Sequence, residues 1–242
     1  MKGASKSVMA AIARLWPDGR IAPAVDYEGS WFVESRPKLT RELKSIEDAQ
    51  LLFEREAEGE PLWGPDSNPE EDPPDDCVPS RSYHLYFVAP VGEAFEYTTE
   101  SDSFSDAGMD GEAQSEVVRG AGRMGLCVAV SLLAPFGVIT FGDWAQYDDG
   151  SVTEPEIELA IQDINGDLLD LEQHFLELAG EVAFTRLQSL RDEIAQRLES
   201  YGVTVLPAQE WRKPVSGPSA GDEMMFDSPL RVLDTLFFET LD

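Results

Sequence analysis

The segment Gly120-Ala121-Gly122-Arg123-Met124-Gly125 has the spacing G-x-G-x-x-G. In dinucleotide-binding folds such glycines let backbone amides approach a pyrophosphate at the N terminus of a helix. An apolar stretch follows, then a predicted strand from residue 138. Asp143 comes eighteen residues after Gly125, near where a ribose-binding acid would stand. Gly120, Gly122, Gly125 and Asp143 are therefore the candidate cofactor-binding residues of a nucleotide-using enzyme. Two features oppose that chemistry. The fingerprint has to follow a buried strand, yet between Gln114 and Arg119 only Val117 and Val118 are apolar. The flanking sequence is also acidic, and acids repel a pyrophosphate. The same small residues otherwise serve close packing of a helix against its neighbour.

Nucleophilic catalysis has little to work with. The chain holds two histidines, His84 and His174, and no G-x-S-x-G elbow. His84 alternates within an apolar run and reads as a satisfied, half-buried side chain. His174 lies between Leu171 and Leu178 on a predicted helix. Cys127 reads as core, and Cys77 sits among acids, which raise a thiol pKa and weaken it as a nucleophile. The run Asp163-Ile164-Asn165-Gly166-Asp167 imitates a calcium loop, but position six is Leu168 and position twelve is His174, where the loop needs Gly and Glu. Asp18 or Asp26 with Glu34-Ser35-Arg36 is a faint two-metal pattern, with Arg where Lys is usual. No catalytic residue, metal site or cofactor is expected from these residues.

The strongest signal is charge. Of 242 residues, 18 are Lys or Arg and 47 are Asp or Glu, for a formal charge of −29. Residues 1–44 form a basic N-terminal segment, with eight basic against five acidic side chains, so the remainder carries −32. Residues 93–116 hold eight acids and 143–181 hold twelve, neither stretch with a Lys or Arg. Such a field repels phosphates and anionic lipid surfaces, so neither direct nucleic-acid binding nor membrane binding is expected. It attracts basic protein surfaces. Asp143, Asp148, Asp149, Glu154, Glu156 and Glu158 are the candidate partner-binding residues. The expected function is a non-enzymatic acidic module that binds or neutralises a basic partner. Toxin-neutralising immunity proteins and nucleic-acid mimics use carboxylates in this way, in place of phosphates. A structural subunit of a larger assembly, docked through the basic segment, is the other non-enzymatic reading.

The length fits one large domain or two small ones, and a single α+β domain over 1–242 is expected. Two cysteines are too few for a disulfide scaffold, no apolar run spans a membrane, and no cleavable leader is evident, so the expected address is the cytoplasm. Helical spacing predicts helices over 8–15, 45–58, 112–133 and 230–241, and a helical region over 153–201. Alternation and β-branched or aromatic content predict strands over 82–89, 138–147 and 203–206, with 94–99 pairing back on 82–89, and an extended segment over 24–34 with a turn at Glu28-Gly29-Ser30. Residues 59–80, rich in Pro and acid, predict a disordered or extended loop. Asp148-Asp149-Gly150 predicts a turn. The sheet should be small and mostly antiparallel, with helices 112–133 and 182–200 packed on one face.

Overall fold

The computed structural model describes residues 5–19, 21, 31–55, 82–104, 115–153, 155, 157, 161–162, 168–169, 171–216, 218 and 230–237. The loop expected at 59–80, with Cys77, lies outside the described residues, as do Glu154, Glu156 and Glu158.

The fold is α+β, built on a seven-stranded, mostly antiparallel sheet. Helix α1 (Lys6–Leu15) starts two residues ahead of the expected 8–15, capped by the Ser5 hydroxyl, which accepts from the Val8 amide. Helix α2 (Arg36–Lys44) has Pro37 in its first turn, where a missing N–H costs nothing. Strands β1 (Ala49–Arg55) and β2 (Tyr83–Pro90) pair antiparallel. Strand β3 (Glu96–Phe104), β4 (Ser115–Ser131) and β5 (Phe136–Tyr147) follow, then the short β6 (Val152–Thr153). Strands β7 (Ile161–Gln162) and β8 (Leu168–Leu169) form a separate pair. Helix α3 (Leu171–Ser200), β9 (Thr204–Val205), α4 (Ala208–Trp211) and α5 (Val232–Leu236) complete the chain.

Several expectations are corrected. Residues 45–58 were expected as a helix, but 49–55 are strand β1, entered through Asp48 at φ 60°. Aspartate tolerates that left-handed backbone better than most residues. Residues 112–133 were also expected as a helix, and 115–131 are strand β4. From Leu126 to Val130 every side chain is buried, because β4 is covered on both faces. A strand buried on both faces loses its alternation and reads as a continuous apolar run, which periodicity cannot separate from a buried helix. Residues 94–99 do not pair with β2. β3 pairs with β4 from Glu96↔Arg123 to Phe104↔Ser115, while β2 takes the other half of the same β4 edge, from Tyr83↔Ser131 to Val88↔Leu126. β5 lines the opposite edge of β4 from Val130↔Gly137 to Gly120↔Tyr147. Thr153 belongs to a strand rather than to a helix start, and Trp31 to Glu34 form turns rather than extended chain.

Helices pack on both faces of the sheet, not on one. On the first face, Val8, Ile12, Trp211 and Leu233 of α1, α4 and α5 meet Leu85, Phe87, Cys127 and Val138. The buried hydroxyls of Ser82 and Ser131 both donate to the Leu236 carbonyl there, tying α5 to the sheet. On the second face, Leu39 and Leu43 of α2 and Leu187, Ile194 and Leu198 of α3 meet Tyr86, Val88, Leu126 and Val128. His84 belongs to this second face. It is 2% exposed, with Nε2 3.2 Å from Glu54 Oε1, and its ring packs on Phe32 and Tyr86.

Helix α3 is broken at Gly180, at φ 77° and ψ 163°. Arg191 Nη1 lies 2.6 Å from Glu172 Oε1, although the two residues are nineteen apart in sequence. A straight helix would separate them by about 28 Å at 1.5 Å per residue. The 171–179 segment therefore folds back along 181–200. Phe175 and Phe184, one from each segment, both pack on Phe141 of β5, with ring centroids 5.7 and 5.3 Å away.

Candidate functional site

Beyond Met124, β3, β4 and β5 continue as a ribbon, edged by β6 along Ala145 and Gln146. The glycine motif lies inside it. A Cβ on Gly122 would come within 2.2 Å of the Tyr97 ring, and one on Gly120 within 2.7 Å of the Tyr147 ring. A Cβ on Gly125 would meet the Val88 carbonyl at 2.6 Å and the Phe87 ring at 2.7 Å. Gly142 repeats the pattern on β5, where the Cys127 sulfur fills the space at 2.5 Å. The glycines thus make room for side chains arriving from neighbouring strands, and their backbones are paired in the sheet. No helix N terminus follows them, since β4 runs on to Ser131. The geometry a dinucleotide fingerprint needs is absent at Gly120, Gly122 and Gly125.

Asp143, the other member of that candidate set, accepts a 2.5 Å hydrogen bond from the Tyr97 hydroxyl. Burial, the bond to Asp143 and the charge of that carboxylate push the Tyr97 phenol far above its ordinary value. The neutral phenol is therefore favoured by folding. Its contribution to stability is present below about pH 10, the ordinary tyrosine value, and is lost as pH rises through the higher folded-state value. Ultraviolet titration should show tyrosine ionisation above the ordinary range, and Asp143→Asn should move the Tyr97 component down. Simultaneous ionisation of all tyrosines in the native protein would contradict this geometry.

Asp148 and Asp149 form the predicted turn between β5 and β6. Asp149 accepts from both the Ser151 hydroxyl, at 2.6 Å, and the Ser151 amide, at 2.9 Å. These two bonds hold its carboxyl below the usual carboxylate range. Asp149 therefore shapes the turn, and Asp148, also exposed, offers its carboxylate to solvent. Of the six partner-binding candidates, the structure brings Asp143, Asp148 and Asp149 to one ribbon, with Asp143 already engaged by Tyr97. The other three lie outside the described residues.

Residues that sequence reasoning missed complete the ribbon. Side-chain alternation sets rows of cross-strand neighbours on the first face. One row is Glu96, Arg123 and Trp144, with Arg123 Nη2 2.7 Å from Glu96 Oε1. The next is Thr98, Ala121 and Gln146. The third has Glu100 opposite Arg119, 3.4 Å apart and well exposed, with the Asp148 amide on the Arg119 carbonyl. An exposed pair of that kind adds little stability. The signal for this register was present in the sequence. Glu96 and Glu100 are four apart, as are Arg119 and Arg123, so an antiparallel pairing matches both acids to both bases.

A groove of about 900 Å³ opens over these rows, with Thr98, Ala121 and Gln146 as its middle and Trp144 and Asp148 among its lining. Arg123 Nη1 and Trp144 Nε1 beside it are buried and have no hydrogen-bond partner. A buried donor left without an acceptor costs about 1–3 kcal/mol. The arrangement offers donors, acceptors and a ring to a bound group. Neither histidine faces it: His84 is on the second face and His174 is packed edge-on against Phe175 of α3. Among the described residues no group of three or more His, Cys, Asp or Glu could hold a metal ion, and no helix is long and apolar enough to cross a membrane. Compared with protein-family models, with curated proteins and with solved structures, the chain matches none.

Proposed function

We propose that this protein is a non-catalytic, cytoplasmic acidic module that binds or neutralises a basic protein, and that the far end of the ribbon is its contact surface. One observation carries the reading. Among the described residues of the ribbon beyond Gly120, the backbone gathers Glu100, Asp148 and Asp149 around one base, Arg119. In a chain of charge −29, that end adds a local excess of acid to a long-range attractive field. Such a field steers a basic partner to the surface, and the local carboxylates then fix where it lands.

The test separates the local surface from the global charge. Asp148→Lys with Glu100→Lys changes net charge as much as Glu177→Lys with Glu181→Lys, two exposed acids on α3. Affinity is read by fluorescence anisotropy with a short capped peptide alternating lysine with serine. The ribbon pair should weaken binding by about tenfold at low ionic strength and the α3 pair by under about threefold, with both effects fading in high salt. Equal losses from the two pairs would reduce the interaction to net charge and remove the ribbon end from the reading.

A further inference from the structure

We infer that the groove on the first face of the ribbon holds one extended segment of the basic partner, running across the strands between the two Glu–Arg pairs. The inference rests on the partner-binding reading above and names the seat that reading leaves open.

The dimensions fit a single chain. Glu96 and Glu100 are four residues apart on one strand, so the two pairs stand about 13 Å apart. Between them lies the row of Thr98, Ala121 and Gln146, whose central member has only a methyl group and is exposed. Crossing three strands takes about 10 Å, the length of roughly three extended residues.

The chemistry selects the kind of chain. Arg123 and Trp144 are directly opposed in the β4–β5 register, and each keeps one side-chain nitrogen without a partner. Together they ask for an acceptor oxygen. The Arg123 side chain is 25% exposed, while its Nη1 is covered. A free anion would supply the oxygen but is repelled by a chain of charge −29. A peptide supplies it as a neutral backbone carbonyl. The Asp148 carboxylate lines the same groove, and the Glu96 carboxylate, 46% exposed, flanks it. They suit the lysine or arginine side chains of that same peptide. A basic peptide satisfies both demands at once, whereas an acidic peptide or a neutral polyol satisfies one.

Trp144→Phe removes the indole N–H and keeps a ring. Ala121→Leu fills the groove from an exposed position, where the fold tolerates it. The probe is the capped lysine–serine peptide, with glutamate–serine and asparagine–serine peptides beside it and thermal melts confirming each variant is folded. The lysine peptide should bind best. Ala121→Leu should weaken it by about tenfold, and Trp144→Phe by about three- to tenfold, the worth of one hydrogen bond. If charge reversal at Asp148 and Glu100 weakens binding while Ala121→Leu and Trp144→Phe do not, the groove is not the seat, and the acidic-surface reading stands alone. If the asparagine peptide binds as well as the lysine peptide, the occupant is not basic and the inference fails. If no lysine peptide binds wild-type protein at low ionic strength, the acidic-surface reading and the groove fall together.

Discussion

Gly125→Ala is expected to lower the melting temperature by about 6–12 °C. The added methyl would sit 2.6 Å from the Val88 carbonyl and 2.7 Å from the Phe87 ring. Neither neighbour can yield easily. Val88 and Phe87 are both fully buried in the central strand β2, and the carbonyl belongs to the backbone. Overpacking a core costs about 1–3 kcal/mol, and a backbone clash belongs at the upper end. For a chain of this size each kcal/mol moves the transition by about 2–4 °C. Gly122→Ala should cost less, because its clash is with the far end of the partly exposed Tyr97 ring, which can swing aside. The pair also decides between two meanings of the glycine motif. If the glycines cradled a phosphate, alanine at 125 would abolish a nucleotide-induced thermal shift and leave the unliganded protein as stable as before. We expect the reverse: no shift with a nucleotide and a large loss of stability. A wild-type melting temperature for Gly125→Ala would overturn the packing account.

Phe141→Ala should cost about 3–5 kcal/mol, the range for deleting a buried aromatic ring. Phe141 is 3% exposed and is clasped by Phe175 and Phe184, with the Arg191 guanidinium 5.6 Å from its ring centroid. These contacts come from both segments of α3, so one β5 side chain holds the fold-back at Gly180 together. The loss should be uneven. Residues 171–179 have Phe175 as their buried anchor, while 181–200 keep Leu187, Ile194 and Leu198 against the sheet. Hydrogen exchange should therefore rise most in 171–179. Leu178 and Val182, 60% and 81% exposed at the bend, contribute nothing to resist it. Unchanged protection of 171–179 in Phe141→Ala would mean that the segment is held by something other than this ring.

Charge, the turn at Asp148-Asp149-Gly150 and the strands near 82–89 and 138–147 were all determined by the sequence alone. Each rests on a local property: net composition, a turn-forming tripeptide, or a run of β-branched and aromatic residues whose type permits one backbone state. The α+β class follows from the same local signals. The helix over 182–200 is equally legible, because its apolar stripe faces the sheet and its other side faces water.

Only the tertiary structure decided the state of 115–131. Val117, Ala121, Met124, Val128 and Leu132 fit a helix, and the glycines at 120, 122 and 125 weaken a strand as much as a helix when read alone. What makes the strand win is supplied from elsewhere in the chain: Tyr97, Tyr147 and Phe87 fill the places where side chains would have been. A hole has no meaning in a sequence until the ring that occupies it is known. The same reason hid the candidate site. Glu96 and Arg123 are far apart along the chain, and they become one charged row only because β3 pairs with β4 rather than with β2. Local chemistry chose the acids and the glycines, and long-range strand pairing decided which of them meet.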